Sequence, residues 1–138
     1  MARLLAIDYG QKRTGIAVTD ELQLIASGLT TLPTEKVVDF LKNYCTNENV
    51  EAIIIGLPKQ MNNKVSESEV FIQSFIEKLQ QNLPNLPIKR QDERFTSKIA
   101  MQSMIESGVK KKKRQEKERL DEISAVLILQ SYMAMHTN

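Results

Sequence analysis

The chain of 138 residues is predicted to form an α/β fold built on a mixed five-stranded sheet. Strand-like segments follow one another closely in its first third, and helical and strand-like segments alternate after that. The apolar run Ala52–Ile55 is typical of a strand buried on both faces. The predicted element order is β-β-β-α-β-α-β-α-α, an antiparallel meander followed by right-handed crossovers onto the same sheet.

The first three strands are predicted over Leu4–Ile7, Ile16–Thr19 and Ile25–Leu32, because apolar residues cluster there between polar turns. Their short connections favour antiparallel pairing. Gly10 and Gly15 border the first turn, where a residue without a side chain is expected to let the backbone turn tightly.

Helical periodicity predicts the next elements and their ends. Thr34 is expected to cap a helix, and Ser66 with Glu69 is expected to form a capping box that opens the following one. The apolar stripe of that second helix runs from Phe71 to Leu83, and a strand is predicted over Ile88–Asp92.

Two further helices are predicted in the C-terminal third of the chain. Thr96 is expected to cap the first, which Gly108 ends. The last is predicted from Leu120 to about Met135, with Asp121 in its first turn, where a carboxylate suits the helix dipole. The small residues Ser124 and Ala125 are expected to let this helix approach the sheet closely and to aim Asp121 at the strand ends.

Length and composition indicate one soluble domain covering residues 1–138, against a prior of about 150 residues per domain. Hydrophobic residues make up 41% and charged residues 26%, which argues against disorder. The single cysteine, Cys45, excludes an internal disulfide and fits a reducing compartment. No apolar run is long enough to span a bilayer, and the opening MARLLAIDYG is interpreted as a strand rather than a signal peptide. A cytoplasmic location without a membrane partner is expected.

The net charge of +2 is unevenly distributed. Lys110–Arg119 holds seven basic and two acidic residues and carries +5, so the remainder of the chain carries −3. A basic, flexible flap at about residues 109–119 on an acidic body indicates contact with a polyanion at one place. A solvated loop that only maintains solubility remains the alternative.

Three acidic residues stand at or near the ends of predicted elements: Asp8, Glu93 and Asp121. Gathered in one cleft they would repel each other unless divalent cations lay between them. Oxygen ligands without a Cys or His cluster favour Mg²⁺ or Mn²⁺, and one or two such ions fit phosphodiester hydrolysis. Asp92 stays an alternative to Glu93, because a shift of one residue along a strand reverses the face.

Four motifs in chain order carry a resemblance to a known family. They are Asp8-Tyr9-Gly10 with Lys12-Arg13-Thr14-Gly15, Ile55-Gly56-Leu57-Pro58, Asp92-Glu93-Arg94-Phe95-Thr96, and Asp121-Glu122-Ile123-Ser124-Ala125. Together they resemble the YqgF family, also called RuvX, over nearly the whole chain. The resemblance implies a ribonuclease H-like fold related to the resolvase RuvC. It also implies a metal-dependent nuclease that matures the 5′ end of pre-16S ribosomal RNA, with Asp8, Glu93 and Asp121 as the acidic triad.

The expected partner is therefore nucleic acid: pre-16S rRNA, within the assembling small ribosomal subunit or free, or else branched DNA. The protein is expected to act as a monomer or a homodimer. The basic residues expected to contact phosphates are Lys12, Arg13, Lys59, Arg94, Lys110, Lys111, Lys112, Lys113 and Arg114.

Three other functions stay open at this stage. A Holliday junction resolvase would use the same metals on branched DNA, and a dimer would be needed to cut two strands symmetrically. A non-catalytic RNA-binding module for ribosome assembly would need only the basic flap. A nucleotide-binding enzyme of the actin and sugar-kinase type also has a DxG turn after its first strand, but it needs two such domains.

Overall fold

The computed structural model describes residues 2–57, 67–92 and 113–136, and for residues 113–120 it describes the backbone alone. Within these ranges one five-stranded mixed sheet carries helices on both faces, which confirms the predicted class. A short 3₁₀ turn at Thr34–Lys36 precedes the first helix. The elements are β1 Arg3–Asp8, β2 Arg13–Thr19, β3 Ala26–Pro33, α1 Val37–Asn47, β4 Val50–Leu57, α2 Glu69–Asn82, β5 Ile88–Asp92 and α3 Lys113–His136.

The strands lie in the order β3-β2-β1-β4-β5. β1 pairs antiparallel with β2, and β2 with β3, so the predicted meander is confirmed. β4 returns parallel to β1, and β5 parallel to β4. Ile7 lies opposite Ile16 on one side and Ile55 on the other, so the carboxyl ends of β1 and β4 meet at the same edge of the sheet.

The two faces of the sheet bury different side chains. Leu5 and Ile7 of β1 pack with α1 and α2, whereas Leu4 and Ala6 pack with α3, as the alternation of a strand requires. The α3 face of the sheet is rich in alanine, and α3 meets it with Ser124 and Ala125, which are both buried. The predicted close approach of the last helix is therefore confirmed.

The last helix differs from its prediction at its start. It begins at Lys113 rather than Leu120, so Asp121 lies more than two turns inside it and gains little from the helix dipole. The C-terminal part of the predicted basic flap, from Lys113 onward, is helical backbone. In the described ranges, no helix combines the length and the hydropathy needed to cross a membrane. The helix predicted after Thr96 lies outside the described residues.

The helix cap predicted at Thr34 is wrong, and the start of α2 differs from the predicted capping box. No side-chain hydrogen bond caps the 3₁₀ turn or α1, and the Thr34 hydroxyl donates instead to the Gly10 carbonyl oxygen in the turn between β1 and β2. α2 begins at Glu69 with Ser68 as its N-cap, and Glu69 bonds to Arg90. Ser66 lies outside the described residues. Phe71, predicted to face inward, is 48% exposed.

Candidate active site

Asp8 ends β1 at the edge of the sheet where β4 also ends. Its strand partner across the antiparallel ladder is Gly15 of β2. Leu4 and Ala6, which precede Asp8 at intervals of two, face α3. The alternation of the strand therefore directs Asp8 to the α3 face as well.

The backbone of α3 contacts the sheet at Gly15. A Cβ atom on Gly15 would lie 2.2 Å from the carbonyl oxygen of Asp121 and 3.0 Å from the Asp121 Cβ, so a side chain there is excluded. The expected role of Gly15 in the turn is therefore wrong, because the glycine makes room for a helix. Asp8, its partner in the neighbouring strand, and Asp121, which packs over it, therefore both adjoin this glycine on the same face of the sheet.

Gly10 keeps the role predicted for it. A Cβ atom on Gly10 would lie 2.2 Å from the carbonyl oxygen of Arg13, because the turn folds back on itself there. The Thr34 hydroxyl donates to the Gly10 carbonyl and lies 2.8 Å from the hydroxyl of Thr14, which is fully buried. The Thr34 amide donates to the Lys12 carbonyl oxygen at 3.1 Å. These bonds hold the turn between β1 and β2 and leave the Lys12 side chain exposed.

Arg13 bonds to a carboxylate in this structure. Its Nε donates to Asp121 Oδ2 at 2.9 Å, and the two side chains are 38% and 24% exposed. Arg13 lies two residues before Gly15 and therefore on the same face of β2. The guanidinium balances one of the two carboxylates that the fold brings beside Gly15. Sequence reasoning missed this pairing, which joins residues 108 positions apart.

The alternation of side chains along β5 shows which face of the sheet Asp92 occupies, and Asp92 is the alternative to Glu93 as the second predicted metal ligand. Arg90 bonds to Glu69 of α2, and Gln91 donates to the sulfur of Met135 of α3 at 3.2 Å. Asp92 follows Gln91 and therefore falls on the α2 face, opposite to Asp8. This argues against Asp92 as a partner of Asp8. Glu93 lies outside the described residues and stays a prediction.

Arg90 of β5 and Glu69 of α2 form a bidentate ion pair near the sheet edge where β1 and β4 end. The sequence did not reveal this pair. Arg90 donates to the two carboxylate oxygens of Glu69 at 2.6 and 2.8 Å, and to the carbonyl oxygens of Ile55 at 3.2 Å and Gly56 at 2.8 Å. The Arg90 guanidinium holds the pKa of the Glu69 carboxyl below its usual range. It thereby joins α2 to the end of β4, the strand beside β1.

A separate groove of about 480 Å³ opens on the α1 and α2 face. Tyr9 and Phe75 line it, with ring centroids 5.1 Å apart, and Glu35, Asp39 and Lys78 stand among its other residues. Because Tyr9 follows Asp8 along the chain, this groove begins next to the acidic edge but lies on the opposite side of the sheet.

The described residues contain no group of three His, Cys, Asp or Glu side chains placed to hold a metal ion. The third predicted acid, Glu93, is not among them. Asp8 and Asp121 supply carboxylate oxygens, the ligand type that Mg²⁺ and Mn²⁺ prefer, so the donors present fit such an ion. Lys59, Arg94, Lys110, Lys111 and Lys112 also lie outside the described residues, as do the side chains of Lys113 and Arg114.

Comparisons with known proteins agree with this architecture. Residues 2–135 match the family model described as RuvX, Holliday junction resolvase. Among solved structures, the chain is similar to Thermus thermophilus RuvC in complex with a Holliday junction substrate, with a TM-score of 0.60 and 14% identity over 99% of this chain and 98% of that one. At this identity the likeness shows the fold alone, and it confirms the expected ribonuclease H-like class.

Curated relatives are much closer in sequence. A protein of Bacteroides fragilis is 58% identical over 96% of each chain. One of Flavobacterium psychrophilum is 58% identical over 96% of this chain and 97% of its own, and one of Porphyromonas gingivalis is 53% identical over 96% of each. All three carry the name "Putative pre-16S rRNA nuclease".

Proposed function

The chain belongs to the RuvX family, and from this membership we propose that it is a divalent-metal-dependent nuclease that processes the 5′ end of pre-16S rRNA. One observation carries the proposal: Asp8 and Asp121, distant in sequence, both adjoin Gly15 on one face of the sheet. Relatives more than half identical over nearly the full chain bear the corresponding name, which supports the substrate.

Asp8 and Asp121 are the proposed metal ligands, with Glu93 as the third. Mg²⁺ or Mn²⁺ would supply an activated water and neutralise the charge that develops on the phosphate. The protein's part is to hold the carboxylates in place. Gly15 sets the distance between α3 and β2, and the β1 ladder sets Asp8 opposite Gly15.

Basic residues around this edge are proposed to bind the nucleic acid backbone. Lys12 is exposed on the turn that the two threonine hydroxyls hold in place. Lys59, Arg94 and the basic segment Lys110–Arg114 complete the proposed set. Binding through phosphates makes affinity fall steeply with salt and provides no sequence readout, so specificity would come from RNA shape or from the assembling ribosomal subunit.

The second candidate is a Holliday junction resolvase, which the description of the family model and the likeness to RuvC favour. It would require a homodimer, whereas an RNA nuclease works equally well as a monomer. A third candidate, an RNA-binding module without catalysis, would account for the basic residues but would give Asp8 and Asp121 no part in the function. Each of these proteins would act in the cytoplasm, the location that we propose.

The test compares the wild-type protein with Asp8→Asn in Mg²⁺ and in Mn²⁺. The substrates are a 5′-extended 16S precursor RNA and a four-way DNA junction. Asp39→Asn is the matched control, because Asp39 is an exposed carboxylate on α1, on the other side of the sheet. The proposal expects RNA cleavage by wild type and Asp39→Asn and none by Asp8→Asn, with RNA affinity retained.

The other outcomes separate the candidates. Cleavage of the junction alone, lost in Asp8→Asn, would establish the resolvase. RNA binding without cleavage, on free RNA and on precursor particles alike, would favour the binding module. Full cleavage activity of Asp8→Asn would show that Asp8 is not a metal ligand.

A further inference from the structure

The ion pair between Arg13 and Asp121 is built into the fold. The Nε–Oδ2 distance is 2.9 Å, and both side chains are more than half buried. The backbone of α3 at Asp121 rests on Gly15, two residues along β2 from Arg13 and on the same face. Backbone packing therefore places the carboxylate within reach of this guanidinium.

This placement creates a competition for one carboxylate. A guanidinium has only N–H donors and keeps its charge at every physiological pH, so it stabilises the Asp121 anion directly. A divalent cation seeks the same carboxylate oxygens, and two positive groups on one carboxylate repel each other. The ion that the proposed function requires therefore has to weaken or replace the Arg13 contact.

We propose that Arg13 is a positioning residue that competes with the divalent cation for Asp121 and binds a nucleic acid phosphate once the cation has taken that carboxylate. This inference rests on the proposed function, in which Asp121 is a metal ligand. A released guanidinium matches the geometry of a phosphate with two parallel hydrogen bonds. Because a coupling between two ligands is reciprocal, metal and nucleic acid then strengthen each other's binding.

The experiment measures Mn²⁺ affinity directly, on the intact chain without nucleic acid, by following free Mn²⁺ with electron paramagnetic resonance. The variants are Arg13→Gln, Lys12→Gln and Asp121→Asn. Lys12→Gln is the matched control, because it removes the same charge from the neighbouring position, where the side chain is exposed. Circular dichroism verifies that each variant is folded.

Arg13→Gln is expected to bind Mn²⁺ about twofold to fivefold more tightly than wild type, which corresponds to losing a competing, partly exposed ion pair. Lys12→Gln is expected to change the affinity by less than about twofold, because its charge faces solvent. In EDTA, Arg13→Gln is expected to melt below wild type, and Mn²⁺ is expected to raise its melting temperature by the larger amount.

Unchanged or weaker Mn²⁺ binding by Arg13→Gln overturns the inference. In the weaker case Arg13 would orient Asp121 for the ion instead of competing with it. Asp121→Asn tests the proposed function separately. If that variant binds Mn²⁺ as wild type does, Asp121 is not a ligand and the failure lies with the metal site rather than with Arg13.

Discussion

Replacing Arg90 by methionine is expected to destabilise the fold by about 2–4 kcal/mol. Breaking a fully buried ion pair by removing one partner costs about 3–5 kcal/mol, and an exposed pair contributes about 0–1 kcal/mol. The side chains of Arg90 and Glu69 are 21% and 14% exposed, which places this pair nearer the buried limit. The variant also loses the bonds to the carbonyl oxygens of Ile55 and Gly56.

A double-mutant cycle isolates the ion pair from the general loss of packing. Glu69→Met removes the other partner, and the double variant replaces the whole pair with apolar groups of similar size. The double variant is expected to be more stable than the sum of the two single effects predicts, by about 1.5–3 kcal/mol. Urea denaturation of all four proteins at pH 7 gives the free energies, provided that the slopes agree.

The pH dependence provides a second measure of the same contact. The Arg90 guanidinium lowers the pKa of the folded Glu69 carboxyl below its unfolded value of about 4.3. Glu69 therefore contributes stability that is fully present above that unfolded value and is lost as the pH falls through the folded pKa. The stability difference between wild type and Glu69→Gln should shrink as the pH is lowered below about 4. Glu77→Gln, an exposed carboxylate on the same helix, is the control.

Two results would refute this reasoning. A cost below about 1 kcal/mol for Arg90→Met would mean that the pair behaves like an exposed one. Strict additivity in the cycle would mean that the two side chains act through their packing and not through each other.

Two remaining predictions concern the helix contact and the basic segment. Gly15→Ala is expected to cost about 3 kcal/mol in urea denaturation, because its Cβ would overlap the Asp121 carbonyl. Gly28→Ala is the control and should cost much less stability, because its Cβ would lie 3.4 Å from the nearest side chain of α3. Equal losses of stability in the two variants would contradict the close contact between Gly15 and α3. Replacing Lys110–Lys113 with glutamine is expected to reduce the slope of log RNA affinity against log salt concentration by up to about four units. Lysines of the α1 and α2 face provide the charge control, and an unchanged slope would mean that the segment does not contact RNA.

Much of the fold was predictable because its signals are local. Apolar residues marked the first four strands, and β5, whose sequence IKRQD holds one apolar residue, has the predicted bounds Ile88–Asp92. The short turns of the first third predicted antiparallel pairing, which the ladder confirms. The start of α3 was not predictable in this way, because the polar segment before Leu120 has no apolar stripe that would mark it as a helix.

The predictions at Thr34 and Glu69 failed because a polar side chain bonds to whichever partner the tertiary fold brings closest. Thr34 and Glu69 both stand at positions that suit local capping, and each bonds instead to a residue at least 20 positions away. A local pattern lists possible partners for such side chains and cannot rank them, since the competing partners are distant in sequence.

The sequence by itself determined the sheet and its two apolar faces, because residue type and alternation encode them, and its resemblance to a known family indicated the acidic residues proposed for catalysis. Only the tertiary structure decided which of these residues meet. It placed Asp121 beside Gly15, paired it with Arg13 and turned Asp92 to the opposite face from Asp8. The physical reason is that these relations depend on how closely a helix approaches a strand and on the register of that contact, which distant parts of the chain set together.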